Sequence, residues 1–157
     1  MGTEIERKFL VAGDGWREKA SGIPYRQGYL TRGECCTVRV RRAGDRAFLT
    51  IKGRPSGIVR DEFEYEIPVA DAEELLDRHC GGGIVEKFRF KVRHAGRIWE
   101  VDEFLGDNAG LVVAEIELAD ADEPVEPPDW VGAEVTSDPR YANSNLAVHP
   151  FIRWGRP

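Results

Sequence analysis

The stretch TEIERKFLV, residues 3–11, sets Glu4, Glu6 and Lys8 at every second position, with Ile5 and Phe9 on the opposite parity. Period-two alternation marks a strand with one polar and one apolar face, so these three charges project together on one side. What faces them decides both the fold and the function.

The same alternation recurs along the chain. CTVRVRR puts Thr37, Arg39 and Arg41 on one face with Val38 and Val40 on the other, and AFLTIK puts Thr50 and Lys52 opposite Leu49 and Ile51. VEKFRFKV sets Lys87, Arg89 and Lys91 against Phe88, Phe90 and Val92. Those faces are basic. Acidic faces come from RDEFEYEI, with Glu62, Glu64 and Glu66 opposite Phe63, Tyr65 and Ile67, and from VAEIEL, with Glu115 and Glu117 opposite Ala114, Ile116 and Leu118. The strand candidates are TEIERKFLV, IPYRQGYL, CTVRVRRAG, RAFLTIKG, VRDEFEYEIP, IVEKFRFKVRH, RIWEVDEFLG and LVVAEIELAD. Gly44–Asp45 and Ala95–Gly96 mark two hairpin turns. Helical signals are confined to DAEELLDRH and to SDPRYANSNLAVHP, which Pro150 stops. ADEPVEPPDW reads as an acidic, proline-rich connector. The expected architecture is an all-β-dominated α+β domain spanning 1–157, with eight antiparallel strands closing into a barrel or tunnel and short helices at its periphery.

An antiparallel sheet ordinarily turns its polar face to water, and any one of these charged strands fits that description. Their coincidence is the informative feature. Residues two apart on one face lie ~6.8 Å from each other, so Arg39 and Arg41, or Glu115 and Glu117, repel unless opposite charge lies between them. A polyphosphate and divalent cations supply that charge. With the polar faces turned inward, the barrel becomes a water-filled tunnel with basic and acidic walls, its apolar outer faces covered by helices and tail.

Composition narrows the function classes. The chain has 157 residues, 41% apolar and 32% charged, with a formal net charge of -6, the balance of one ordinary globular domain. An acidic chain is a poor binder of nucleic-acid duplexes or anionic membranes, so any polyanion site is a local basic cluster. Cys35, Cys36 and Cys80 form neither a disulfide framework nor a CxxC metal motif, which fits a reducing cytoplasm. No apolar run follows Met1 and none approaches the roughly 18 residues of a membrane span, so neither export nor anchoring is expected. CGGGIVEK lacks the GxxxxGK[ST] of a phosphate loop. His79, His94 and His149 have no metal-ligand spacing, and the four tryptophans read as packing residues.

The ordered set ExExK (Glu4, Glu6, Lys8), RVR (Arg39, Arg41), TIK (Lys52), EFEYE (Glu62, Glu64, Glu66), EKFRF (Lys87, Arg89), WEVDEFLG (Asp102), VAEIEL (Glu115, Glu117) and YANSNLA resembles the CYTH proteins, the triphosphate tunnel metalloenzymes. The resemblance runs from Glu4 to Pro150. It implies an eight-stranded antiparallel tunnel that binds triphosphate compounds with Mg²⁺ or Mn²⁺. The activities it implies are inorganic, thiamine, nucleoside or RNA triphosphatase and class IV adenylyl cyclase; a non-catalytic polyphosphate-binding module is the alternative outside enzymes. It also implies a tyrosine partner for Lys8, matched here by Tyr29, and Lys8 and Tyr29 are the catalytic candidates.

The residue types suit that chemistry. Phosphoryl transfer needs anionic oxygens clamped, transition-state charge neutralised and the attacking water placed in line. Arg39, Arg41 and Arg89 can each present two donors to phosphate oxygens, with Lys52 and Lys87 as point charges. Glu4, Glu6, Glu115 and Glu117 are the expected ligands of Mg²⁺ or Mn²⁺, a hard cation that takes carboxylate, phosphate and water oxygens. Asp102 and the row Glu62, Glu64 and Glu66 are left as further ligands, water-orienting groups or partners of the basic side chains. The expected substrate is a triphosphate-bearing small molecule, most of all inorganic triphosphate, and either a monomer or a homodimer fits.

Overall fold

The computed structural model describes residues 2–154; Met1 and residues 155–157, which the expected span of 1–157 takes in, lie outside the described residues. The strands are β1 (Glu4–Val11), β2 (Ile23–Arg32), β3 (Cys36–Ala43), β4 (Arg46–Gly53), β5 (Val59–Arg60), β6 (Glu62–Ile67), β7 (Val85–His94), β8 (Arg97–Phe104), β9 (Val112–Glu117) and β10 (Val131–Glu134), with helices α1 (Val69–Arg78) and α2 (Asn143–Val148). All ladders are antiparallel. The two hairpins form where the turn residues mark them. Gly44 has φ 63°, and Ala95 and Gly96 have φ 52° and 77°, the left-handed backbone that tight two-residue turns require.

Two expectations about the sheet need correction. Among the described residues it has ten strands rather than eight, because VRDEFEYEIP breaks at Asp61 into β5 and β6 and because VGAE in the tail adds β10. Nor is it a closed barrel. The hydrogen-bonded path runs β10-β1-β9-β8-β7-β2-β3-β4-β6, and only the two-residue β5 leaves it to pair with β1. That short pairing, Glu4 opposite Arg60 and Ile5 opposite Val59, is joined by the Glu62 amide donating to Gly2 O at 3.2 Å. The sheet therefore curls far enough for Lys52 on β4 to reach Glu4 on β1, with Nζ 3.1 Å from either carboxylate oxygen.

Outside the curl, apolar residues of β1 and β7–β9 pack with two loop tryptophans. Phe9, Val92, Trp99, Val101, Ala114 and Ile116 form one cluster with Trp16 and Trp130. A second outer cluster places Ala72 and Leu76, one helical turn apart on α1, against Val40 and Ala47. Phe63 and Tyr65, expected to be covered as the apolar face of their strand, are instead 46% and 57% exposed on β6. The tail also departs from expectation: α2 docks on the inner face. Leu146 of α2 and Tyr141 pack against Val85, Phe104, Leu111 and Val113, three of which share inner-face parity with the charged residues of β7, β8 and β9. The polar inner face therefore turns apolar toward one end, and the tail fills that end.

Gly83 lets the tail approach this closely. Its φ is +100°, and a Cβ there would lie 2.3 Å from the Ala147 carbonyl oxygen, whereas nothing lies within 4 Å of a Cβ on Gly81. Gly83→Ala should lower stability by about 1–3 kcal/mol through backbone strain and displacement of α2, and Gly81→Ala should change it by no more than about 0.5 kcal/mol. Thermal melts of the two variants check this; equal melting temperatures would show that α2 can shift without cost.

Candidate active site

The inner face encloses a cavity of about 280 Å³, lined among others by Glu4, Glu6, Lys8, Tyr29, Arg39, Arg41, Lys52, Glu62, Glu64, Arg89, Glu115 and Glu117. Twelve strand residues singled out in the sequence thus converge on one space, because alternate residues of a curled sheet point to its concave side. Lys87 and Asp102 lie behind this wall, 0% and 1% exposed. Glu66 points elsewhere and pairs with Arg46 at 2.8 Å on the surface.

Part of the cavity lining is acidic. Ligand oxygens of Glu4, Glu62 and Glu117 all lie within 4.8 Å of one another, a hard-oxygen set from β1, β6 and β9 that suits a divalent cation. The expected quartet is thereby divided. Glu62 joins Glu4 and Glu117, while Glu115 faces Lys8 at 3.5 Å and Arg89 at 3.9 Å. Burial opposes ionisation of Glu115, but Lys8 and Arg89 overcome it and hold the carboxyl well below its usual range. For Glu6 the pull of Lys52 and Lys8 is outweighed. Burial, with the Glu115 and Glu4 carboxylates beside it, pushes its pKa up to about 8. Glu117 is raised as well, by burial and by Glu100 and Glu4.

Basic side chains stand among these carboxylates. Arg39 and Arg41 stand two apart on β3, as their parity requires. Arg39 donates to Thr50 Oγ1 at 3.3 Å and has Glu64 at 3.6 Å, yet its Nε is buried without a hydrogen-bond acceptor. Arg41 forms no ion pair with a carboxylate among the described residues; its Nε donates to Gln27 Oε1 at 2.8 Å. Burial and the neighbouring Arg39 and Arg89 lower the Arg41 pKa to about 10. Arg89 is held by Asp102 through Nε at 2.7 Å and Nη2 at 2.8 Å, a bidentate charge-assisted pair. Lys52 bridges to Glu4 and, at 3.5 Å, to Glu62. Lys8 and Tyr29 both line the cavity, but the Lys8 ammonium donates to the Tyr141 carbonyl at 3.1 Å rather than to the phenol.

Several lining residues escaped the sequence reading. Glu100 shares parity with Asp102 on β8 and sits 3.3 Å from Arg89, so alternation alone would have found it. Arg60 belongs to the two-residue β5, too short to show a period. Ala142, Asn143 and Ser144 line the cavity as well; they lie in the YANSNLA segment quoted for the resemblance and in the expected tail helix, but strand periodicity gave them no place in the site.

The curled sheet and its charge-lined cavity define a CYTH-type fold. The chain matches the CYTH domain over residues 2–148 and belongs to that family. It is 52% identical over 151 residues to an inorganic triphosphatase of Acetivibrio thermocellus, covering 96% of this chain and 97% of the relative. An inorganic triphosphatase of Nitrosomonas europaea is 40% identical over 152 residues, covering 93% and 97%. The crystal structure of the inorganic triphosphatase NE1496 superposes with a TM-score of 0.66 at 38% identity, over 94% of this chain and 96% of that one.

The crowding around Glu6 has a measurable consequence in metal-free protein. Its folded pKa of about 8 exceeds the ordinary value of 4.5, so the folded state holds the extra proton between those two values and stability falls as pH rises through that window. Glu6→Gln removes the titrating group. The variant's melting temperature relative to wild type, in EDTA, should climb by several degrees between about pH 5 and pH 8 and level off above. A flat difference across that range would show that Glu6 ionises freely.

Proposed function

We propose that this chain, acting as a single triphosphate-tunnel domain, is a metal-dependent hydrolase of short triphosphates and that inorganic triphosphate is its substrate. The observation that carries the proposal is the guanidinium pair on β3: Arg41 without a carboxylate partner among the described residues, and Arg39, which has Glu64 at 3.6 Å, with a buried Nε that lacks an acceptor. Both line a cavity that also holds a three-carboxylate cluster. A linear polyphosphate satisfies the two guanidiniums, and a divalent cation satisfies the carboxylates. The relatives' activity supports the same substrate.

In this proposal Arg39, Arg41 and Arg89 bind the phosphate oxygens and fix the chain along the cavity. Lys52 neutralises the substrate's charge beside the acidic cluster. Lys8, held by Glu115 and the Tyr141 carbonyl, faces the charge that develops on the transferred phosphoryl group, with Tyr29 beside it in the cavity wall. Glu4, Glu62 and Glu117, with Glu6 adjacent, would hold Mg²⁺ or Mn²⁺, which neutralises phosphate charge as a Lewis acid. Glu64 and Thr50 orient Arg39, with the Thr50 hydroxyl donating to Glu64 at 2.8 Å. Water adds to a terminal phosphorus as the bridging P–O bond to that phosphorus breaks; pyrophosphate leaves with the electron pair, the water's proton passes to solvent or to the leaving oxygen, and orthophosphate is the other product. Three free cysteines fit the reducing cytoplasm, and no described helix is long and apolar enough to cross a membrane.

Purified protein with inorganic triphosphate and Mg²⁺ or Mn²⁺ should release equimolar orthophosphate and pyrophosphate. ATP and thiamine triphosphate should be turned over more slowly, without cyclic nucleotide. Absence of phosphate release from triphosphate with either metal overturns the assignment. Arg41→Ala should raise KM for triphosphate about tenfold or more, because a buried cation then no longer meets the anion. Lys8→Ala should lower kcat more than it raises KM, since its contribution grows in the transition state. Wild-type constants in Lys8→Ala would leave this lysine a structural partner of Glu115.

A further inference from the structure

From Arg41 and Asn143 in the cavity lining, a line of polar side chains runs behind the wall through buried Gln27, Lys87 and Asp102. Lys87 donates to Asp102 Oδ2 at 2.7 Å and to Asn143 Oδ1 at 2.8 Å. The same Asn143 oxygen accepts from Gln27 Nε2 at 3.2 Å, and Gln27 Oε1 accepts from Arg41 Nε at 2.8 Å. Asp102 in turn grips Arg89. The Arg41 and Arg89 guanidiniums stand 5.0 Å and 4.9 Å from the centroid of the Tyr25 ring, which Lys87 also approaches at 5.9 Å. Each link uses a different element: Arg41 from β3, Gln27 from β2, Asn143 from the start of α2, Lys87 from β7 and Asp102 from β8.

We propose that Gln27 and Asn143 are positioning residues that orient Arg41 toward the substrate, with Lys87 as the buried hub tying that arginine to Arg89 through Asp102. The proposal rests on the phosphate-clamp role of Arg41 given above. The polarity of the amides makes the line directional. Gln27 presents its carbonyl to Arg41 and its NH₂ to Asn143; Asn143 presents one oxygen to two donors. A guanidinium whose Nε is committed to Gln27 keeps both terminal nitrogens for the cavity, where they can meet two phosphate oxygens at once. A carboxylate in place of Gln27 would hold Arg41 too, but would cancel the charge the substrate needs. A neutral amide aims the cation without neutralising it. Lys87 does not reach the cavity wall, so its charge acts on triphosphate through the two arginines it aligns. This also accounts for the site contribution of α2: the helix that fills the apolar end of the curl delivers Asn143 to the hub.

The test reads Arg41 directly and needs no substrate. In metal-free ¹⁵N-labelled protein, the Arg41 Nε–H resonance, identified by its loss in Arg41→Ala, should exchange slowly with water. Gln27→Met, close in volume, should speed that exchange about tenfold, the size expected for loss of one hydrogen bond to a charged group. Asn143→Ala should accelerate it in the same direction. Asn143→Asp, which keeps the oxygen that both donors use, should restore the wild-type rate. Exchange within twofold of wild type in both Gln27→Met and Asn143→Ala overturns the proposal. Calorimetry with inorganic triphosphate in EDTA supplies the functional arm. Gln27→Met should weaken binding about tenfold in the wild-type background and less than twofold in Arg41→Ala, because residues acting as one unit are not additive. An equal factor in both backgrounds means that Gln27 acts generally on the fold, and also overturns the proposal. Triphosphate that fails to bind wild-type protein would count against the proposed function, while the exchange rates would still decide the relay. Should Gln27→Met fail to fold, the Asn143→Ala and Asn143→Asp pair decides alone.

Discussion

Asp102 is the interaction on which the inner face depends. It is 1% exposed, and a lone carboxylate so buried would cost several kcal/mol. It is tolerated because Lys87 and Arg89 both donate to it, at 2.7 and 2.7–2.8 Å. Antiparallel register sets this directly, since Arg89 stands opposite Asp102 on the neighbouring strand. Arg89 alone balances the Asp102 charge, and Lys87 adds positive charge to the wall when it is protonated. The net charge of the group favours a bound anion in the cavity beside it. Burial pushes the Lys87 pKa down to about 7, with Arg89 and Arg41 adding repulsion against the pull of Asp102. The site is thus electrostatically crowded around Arg41 and Lys87 as well as around Glu6.

A second constraint runs along the strands. Their inner faces are charged toward one end of the curl and apolar toward the other: Lys8 is followed by Leu10, Lys87 preceded by Val85, Asp102 followed by Phe104, and Glu115 preceded by Val113. The apolar ends would be exposed in a hollow sheet. Leu146 and Tyr141 bury them, so hydrophobic docking of the tail and closure of the polar cavity at that end are one event. Lys8 links the two, because its ammonium bonds the Tyr141 carbonyl at the junction. Stability and site geometry are coupled there.

Much of the site was legible in the chain. Parity assigned Glu4, Glu6, Lys8, Arg39, Arg41, Lys52, Arg89, Glu115 and Glu117 to one side of their strands, and all of them line the cavity. Period two is a local property of an extended backbone and survives any tertiary arrangement. Parity could not separate the residues that meet the cavity from those one layer behind, so Lys87 and Asp102 read the same as Arg89. Glu66 had the right parity too, but it lies at the far end of β6, where Arg46 is nearer than the cavity. Gln27 and Asn143 carried no charge pattern. Their place in the wall comes from contacts across 116 positions of sequence, which no local window contains.

By itself the sequence determined which residues share a face, where the chain turns at Gly44 and Ala95, and that basic and acidic strands must find opposite charge, because these follow from backbone geometry and Coulomb repulsion over a few residues. Only the tertiary structure decided the nine-strand path with its open ladder, the break at Asp61 that sends β5 back to β1, the inward docking of α2 and the pairing of each buried charge. Those outcomes depend on curvature and long-range packing, where the favourable terms are shared among segments far apart in the chain. Alternation tells which way a side chain points from its own strand; what it meets there is set by how the whole sheet curls.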